Sequence, residues 1–453
     1  MSRKSITRRR FLGTMLAAGT APVFLSSRML GDRAPSRTLN LACVGIGNQG
    51  DSVARTIGGQ DRVRVVALCD IDLDHGRVNR VLQAFPDARR FHDFRRMFDE
   101  MGDDIDAVAI STPDHSHFAI TIMAMSMGKA VFVEKPLANT FREAQLLMEA
   151  EKKYGVAAQM GNQGHSGPNY YQGKAFAEAG IFDGVNKIVS FMNGGRRWHP
   201  WDDVDGFPEG EEVPEGLRWD LWHTTAEERP FNKRFHPGNW RGWYRYGMGA
   251  LGDWGPHILD TAHRYLELGL PTKVELLHAE RHNPYIFPLE TTLKFTFPAR
   301  GAKPPVELYW YDGVENPPEP PEELEDGRLG YAGRYLLGGK YTLIGGSHHG
   351  PLRVIPDSLR REVQPGLPGF STGSNHYENF VLAALGEEKC RSTFDVAGSL
   401  NQVFNLGVIA QELGSSSPLT FDLDARKFVD NDRANELLAG PPPRPGWEQY
   451  YKL

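Results

Sequence analysis

The stretch Leu39-Asn40-Leu41-Ala42-Cys43-Val44-Gly45-Ile46-Gly47-Asn48-Gln49-Gly50 decides the fold. Its apolar run feeds directly into a G-x-G-x-x-G turn. Helix-compatible residues follow from Asp51 to Ile57, and a second apolar run, Val63 to Cys69, ends in Asp70. Strand, glycine turn, helix, strand and acid in that order are what a dinucleotide needs. Gly45 permits the tight turn, Gly47 lets the backbone approach a pyrophosphate, and Gly50 lets helix pack on strand. The helix N-terminus, at Asn48 and Gln49, presents N–H groups and a partial positive charge to the phosphates. Asp70 stands 20 residues after Gly50, where a carboxylate accepts both hydroxyls of the adenosine ribose and repels a 2′-phosphate. The cofactor reading is NAD, with NADP disfavoured. The acidic run Asp70-Ile71-Asp72-Leu73-Asp74 also has the look of a calcium loop. It fails as one, because its glycine falls one place late and Val81 stands where the bidentate Glu belongs.

Outward from this unit the alternation continues. Helical periods at Leu73–Phe85, Phe94–Met101, Ser116–Met127 and Thr140–Tyr154 interleave with apolar strands at Ala107–Ser111, Ala130–Glu134 and Val156–Met160. Thr140 and Glu143 make a capping box. Such alternation predicts a doubly wound parallel sheet over residues 38–162, with ligands beyond the carboxyl ends of its strands. From Gly161 the pattern changes. A helix over Pro168–Gly180 and a strand over Val185–Asn193 lead into a long aromatic and charged segment, Arg196 to Tyr246. Strands at Lys273–Glu280, Thr291–Phe297, Val306–Tyr311 and Tyr341–Ile344 follow without a helix between each pair. Residues 163–453 are therefore expected to form a second α/β domain with a large, mostly antiparallel sheet. It should also carry helices at His376–Leu385 and Phe394–Leu413 and an exposed loop at Asn316–Glu325.

The chain of 453 residues is long enough for two full cores, and 40% apolar with 24% charged residues is an ordinary globular balance. A net charge of −6 gives no reason to expect nucleic acid. Three cysteines are too few for a disulfide framework, and Cys43 and Cys69 fall inside predicted strands, where buried and reduced is the default. The first residues stand apart. Thr7-Arg8-Arg9-Arg10-Phe11-Leu12 is a twin-arginine pattern before an apolar stretch through Leu25, so residues 1–37 read as an export segment. A periplasmic protein, or one anchored facing the periplasm, is the expectation.

Two further motifs sit at strand ends: Ser111-Thr112-Pro113-Asp114-His115-Ser116-His117, and Val133-Glu134-Lys135-Pro136. A third, Gly249-Ala250-Leu251-Gly252-Asp253-Trp254-Gly255-Pro256-His257, lies in the second half. With the glycine turn, these motifs make the chain resemble the glucose–fructose oxidoreductase, inositol dehydrogenase and rhizopine-catabolism (Gfo/Idh/MocA) family over roughly Leu39 to Leu266. The family's T-P-x-x-x-H is Thr112 to His117, its E-K-P is Glu134 to Pro136, and its D-x-x-x-H is Asp253 to His257. The resemblance implies that Ser111, Thr112, Pro113, His117, Glu134, Lys135 and Asn162 join the glycine turn around the cofactor. It implies that Lys135, aimed by a cis Pro136, bonds the reacting hydroxyl, and that His257 is the general base. Asp253 would hold the substrate hydroxyl or orient His257. A lysine desolvated in a cleft becomes a usable acid or base, and a spacing of four puts Asp253 and His257 on one helical face.

Beside these stand blander readings: an exposed Lys before Pro, a capping Asp, a structural His. No metal site is expected, because Asp253 and His257 have no third ligand close in sequence. His348-His349, in a glycine-rich turn, read as solvated loop. The loop Gly161-Asn162-Gln163-Gly164-His165 lacks the arginines many family members carry there. It either binds neutral hydroxyls, His165 among the donors, or satisfies its own backbone. Arg196, Trp198, Trp240, Arg241 and Tyr244 interleave aromatic faces with polar forks, as a sugar site does, or a loop core. The resulting expectation is an exported NAD-dependent oxidoreductase acting on a secondary alcohol of a sugar or cyclic polyol, with the cofactor held tightly. A homodimer or homotetramer through the C-terminal sheet is expected by analogy with the family. The alternatives are a redox-neutral glycosidase that oxidises, eliminates, hydrates and reduces back, and a non-catalytic cofactor-binding protein.

Overall fold

The computed structural model describes residues 38–194 and 201–453. The export segment, and Arg196 and Trp198 with it, lie outside the described residues. Six parallel strands, β1 (Leu39–Val44), β2 (Val63–Cys69), β3 (Arg89–Phe91), β4 (Ala107–Ile110), β5 (Ala130–Val133) and β6 (Ala158–Met160), stand in the order β3-β2-β1-β4-β5-β6. This is the strand order of the dinucleotide fold, reversing between β1 and β4. The interior strands read as continuous apolar runs because helices cover both faces: β4 and β5 are buried at every position. The helix Phe141–Tyr154 opens on the Thr140/Glu143 capping box and closes on Gly155 at φ 61°. β3 has no counterpart in the sequence reading. It is three residues long, two of them exposed arginines, and carries no apolar run.

The second sheet has nine strands. They are β7 (Lys187–Met192), β8 (Lys273–Glu280), β9 (Glu290–Phe297), β10 (Val306–Asp312), β11 (Ala332–Leu337), β12 (Thr342–Gly346), β13 (Arg353–Ile355), β14 (Leu419–Asp422) and β15 (Lys427–Phe428). Their order is β13-β12-β11-β7-β10-β9-β8-β14-β15, antiparallel throughout except for β7 against β10. One face packs on the helices Gly249–Tyr265 and Phe394–Leu413 through Ile258, Leu259, Leu293, Phe295, Trp310 and Phe404. β10 alternates buried and half-exposed residues, Tyr309 and Tyr311 among the latter, so part of its other face meets solvent.

The chain's end returns to the first sheet. Phe380 and Val381 join the core on one side of it, and Phe394, Trp447 and Tyr450 the core on the other. Among the described residues no helix is long and apolar enough to cross a membrane.

Candidate active site

A cavity of about 500 Å³ runs from the glycine turn, past the ends of β4 and β5, to the helix Gly249–Tyr265. At one end Gly45 adopts φ +76°, and a Cβ there would lie 2.8 Å from the Ser111 carbonyl. A Cβ on Gly50 would sit 2.0 Å from the Gly45 oxygen. Neither position admits a side chain. Gly47, Asn48 and Gln49 line the cavity at the start of the helix Gln49–Gly58, where a phosphate finds N–H groups. Asp70 directly follows β2, with Oδ2 accepting the Ile46 N–H at 2.8 Å and Oδ1 the Asp72 N–H at 3.0 Å. Burial pushes its carboxyl up, against those two bonds. A carboxylate has about four lone-pair sites, so two remain for ribose hydroxyls. The turn, the helix start and the acid together fit a dinucleotide.

The middle of the cavity is walled by Ser111, Thr112, Pro113 and Glu134. Glu134 is 4% exposed and accepts from the Gln49 amide at 3.3 Å and the Gln163 amide at 3.5 Å. Burial raises its carboxyl as well. It lies so close to the β6 loop that a Cβ on Gly161 would meet its Oε1 at 2.8 Å.

At the far end Lys135, after a cis Lys135–Pro136 bond, donates from Nζ to Asp253 Oδ1 at 2.5 Å. Their side chains are 8% and 1% exposed. Arg241 Nη1 lies 3.8 Å from the same oxygen and bonds both oxygens of Asp114 at 3.1 and 3.2 Å. Asp114, Arg241, Asp253 and Lys135 thus form a buried ladder of alternating charge. Burial raises Asp114, with Arg241 opposing. Four residues after Asp253, His257 shares its helical face and lines the cavity.

Residues 39–162 match the model of the oxidoreductase family with an NAD-binding Rossmann fold, and residues 174–290 that of the family's C-terminal alpha/beta domain. The chain belongs to the Gfo/Idh/MocA oxidoreductase family. Inositol 2-dehydrogenase of Salmonella typhimurium is 32% identical over 149 residues, covering 32% of this chain and 42% of that protein. Levoglucosan dehydrogenase of Pseudarthrobacter phenanthrenivorans is 29% identical over 185 residues, covering 40% of this chain and 38% of that protein. The chain therefore matches about two fifths of the length of these relatives. Among solved structures, the WlbA dehydrogenase of Bordetella pertussis in complex with NADH and UDP-GlcNAcA superposes with a TM-score of 0.56. Its identity is 16%, with 86% of this chain and 100% of that chain covered, a likeness of fold. As a member of this family, the chain has an N-terminal domain that is an NAD-binding one.

Besides Asp253, which is 1% exposed and not among the residues that line the cavity, the structure turns four expected side chains away from it. His117 is buried with its ring nitrogens 2.7 Å from the carbonyls of Thr112 and Pro136, so it braces the two loops rather than facing a ligand. Asn162 is tied to Asp260 at 3.3 Å and to the Ser392 hydroxyl at 2.6 Å. His165 lies against Tyr170, with Nδ1 3.4 Å from Asp260. Tyr244 packs on Phe287, ring centroids 4.2 Å apart. In that loop it is Gln163 that reaches the cavity. Trp240 and Arg241 line it too, but their neighbours Phe235, Trp243 and Tyr246 are wholly buried, making most of this aromatic segment a loop core.

Other lining residues were missed or misread. Arg77, His236, Trp222 and Trp447 close the Asp70 end, drawn there from three parts of the chain that share no motif. His348 is the clearest reversal. It is no solvated loop residue but a cavity wall, stacked on His257 with centroids 4.0 Å apart and planes 13° apart. Among the described residues no cluster of three or more metal-ligating side chains stands together.

Proposed function

We propose that this protein is an NAD-dependent oxidoreductase acting on a secondary alcohol of a sugar or cyclic polyol. One observation carries the reading: Lys135, bonded to Asp253, and His257 line the same cavity as the glycine turn and Asp70. Bound NAD supplies the hydride acceptor that alcohol oxidation needs. Lys135, held in place by Asp253, donates a hydrogen bond to the reacting oxygen. His257 takes the hydroxyl proton as the carbon loses hydride, and returns it in the reverse direction. Arg241, fixed by Asp114, and Trp240 offer a fork and a flat face to neighbouring hydroxyls.

Leu221, Trp222, His236 and Trp447 cover the Asp70 end, which supports a cofactor that stays bound between turnovers. Export through the twin-arginine route agrees with such retention, because free NAD is scarce outside the cytoplasm. We place the protein in the periplasm on the strength of Arg8 and Arg9. Replacing both with Lys should leave it in the cytoplasmic fraction. The half-exposed Tyr309 and Tyr311 on the second sheet favour a homodimer or homotetramer through that face, to be read by light scattering.

The deciding experiment uses purified protein without added cofactor. The protein is denatured, any released nucleotide is identified by mass, and fresh enzyme is offered free sugars, inositols and aryl glycosides. NADH formation, or oxidation of one sugar paired with reduction of another, establishes the reading. Aglycone release without net NADH would replace it with the redox-neutral glycosidase. Bound NAD with no turnover of any kind would leave only the non-catalytic alternative.

A further inference from the structure

The loop between β12 and β13 places its first imidazole with unusual effort. His348 is a non-glycine residue at φ 56°, a left-handed conformation that costs free energy unless the surroundings impose it. Three contacts impose it. Arg334, wholly buried, donates from Nη1 to the Gly346 carbonyl at 2.5 Å. The His348 N–H donates to the His257 carbonyl at 2.8 Å. The His348 carbonyl lies where a Cβ on Gly164 would come within 2.5 Å, so the β6 loop fits against it only as glycine. Trp254 meets the His348 ring edge-on at 5.6 Å, and Ser347 Oγ lies 2.9 Å from Nδ1. The result is the parallel stack on His257, at the cavity wall.

Asp253, the residue expected to orient His257, has its Oδ1 engaged by Lys135 and approached by Arg241. We propose that His348 is a positioning residue for His257, holding its ring plane toward the cavity and, while itself neutral, stabilising the protonated form of His257 across the stack. The inference rests on the oxidoreductase reading for its catalytic meaning, though not for its physical test. An aromatic face attracts a neighbouring cation, so a neutral imidazole at 4.0 Å favours a proton on His257 at the moment the alcohol gives one up. Among the described residues, the other titratable and charged groups near this end of the cavity include Glu134 and Lys135 after β5, Asp114 after β4, Arg241 from the aromatic segment, Asp253 and Asp260 on the helix itself, His165 after β6 and Arg334 on β11. None is altered in the variants below.

The test compares His348→Asn, which tolerates the left-handed backbone but has no ring, with His348→Phe, which keeps a flat face without nitrogens. In each full-length protein the His257 imidazole is titrated by NMR, its resonance assigned from the spectrum of His257→Gln. The expected result is a His257 midpoint lower by about half to one pH unit in His348→Asn, and near wild type in His348→Phe. With an active substrate in hand, the acid limb of kcat/KM should move by the same amount, with kcat falling more than KM changes. An unmoved or raised midpoint in His348→Asn, or equal falls in both variants, overturns the proposal. Wild-type protein that titrates as expected yet turns over no alcohol would instead refute the oxidoreductase reading and leave the stack standing.

Discussion

Replacing Asp253 with Asn tests the charge ladder directly. The substitution keeps the shape and removes one charge from a pair 2.5 Å apart whose side chains are 8% and 1% exposed. It leaves the Lys135 ammonium buried, with the Arg241 guanidinium, formerly 3.8 Å from the same carboxylate, now a like-charged neighbour without its screen. Removing one partner of a buried pair costs about 3–5 kcal/mol, against about 0–1 for an exposed one. The assay is a double-mutant cycle in urea: Asp253→Asn, Lys135→Met and the double variant, followed by tryptophan fluorescence. The double variant should recover about 2 kcal/mol or more of the single losses, because it no longer buries an unpaired charge. The Arg89–Glu100 pair, 53% and 37% exposed, serves as the control and should couple by less than about 1 kcal/mol. A coupling below about 0.5 kcal/mol between Asp253 and Lys135, the size expected of a non-interacting pair, would refute the claim that each holds the other. Both single variants should also lose at least about a hundredfold in turnover, the usual worth of a positioned proton donor.

Three further outcomes follow from the geometry. Asp70→Ser removes an acceptor of two backbone N–H groups and of the ribose, so NAD affinity should fall about 10- to 100-fold while NADP binding improves; calorimetry showing no change for either would be decisive against the assignment. In Gly50→Ala the new methyl meets the Gly45 oxygen at 2.0 Å, the turn must open, and NAD binding should weaken at least about tenfold. His376 is wholly buried, and burial pushes its imidazole down to about 3. It sits between the Ser166 hydroxyl and the Met160 carbonyl, a pairing that suits the neutral ring. Its folded-state value lies below the unfolded one, so its stabilisation is complete above pH ~6.5 and is lost as pH falls through the window toward 3, by up to about 1.4 kcal/mol per unit. Urea midpoints should drop between pH 7 and 5, and His376→Gln should flatten that slope.

Much of this molecule is legible from local patterning. The glycine turn, the capping box at Thr140 and the apolar runs announce the first sheet, because a parallel strand buried on both faces and a helix nucleus are properties of a few adjacent residues. Asp70 is legible the same way, just past the end of a strand, whereas Glu134, Lys135, Asp253 and His257 stand out through motifs the chain shares with its family. The short β3 escaped because two of its three residues are exposed arginines, held in place by β2 alone.

What the sequence could not reveal is which polar side chains face the cavity. His117 and Asn162 belong to the right loops, but their partners, Pro136 and Ser392, lie 19 and 230 residues away and turn them aside. His348, in a turn with every local mark of solvent exposure, comes instead to rest on His257, 91 residues earlier in the chain. Backbone conformation depends on near neighbours and is written in periodicity. The direction of a buried polar side chain depends on whichever distant donor or acceptor reaches it first, and only the packed tertiary structure brings those groups together.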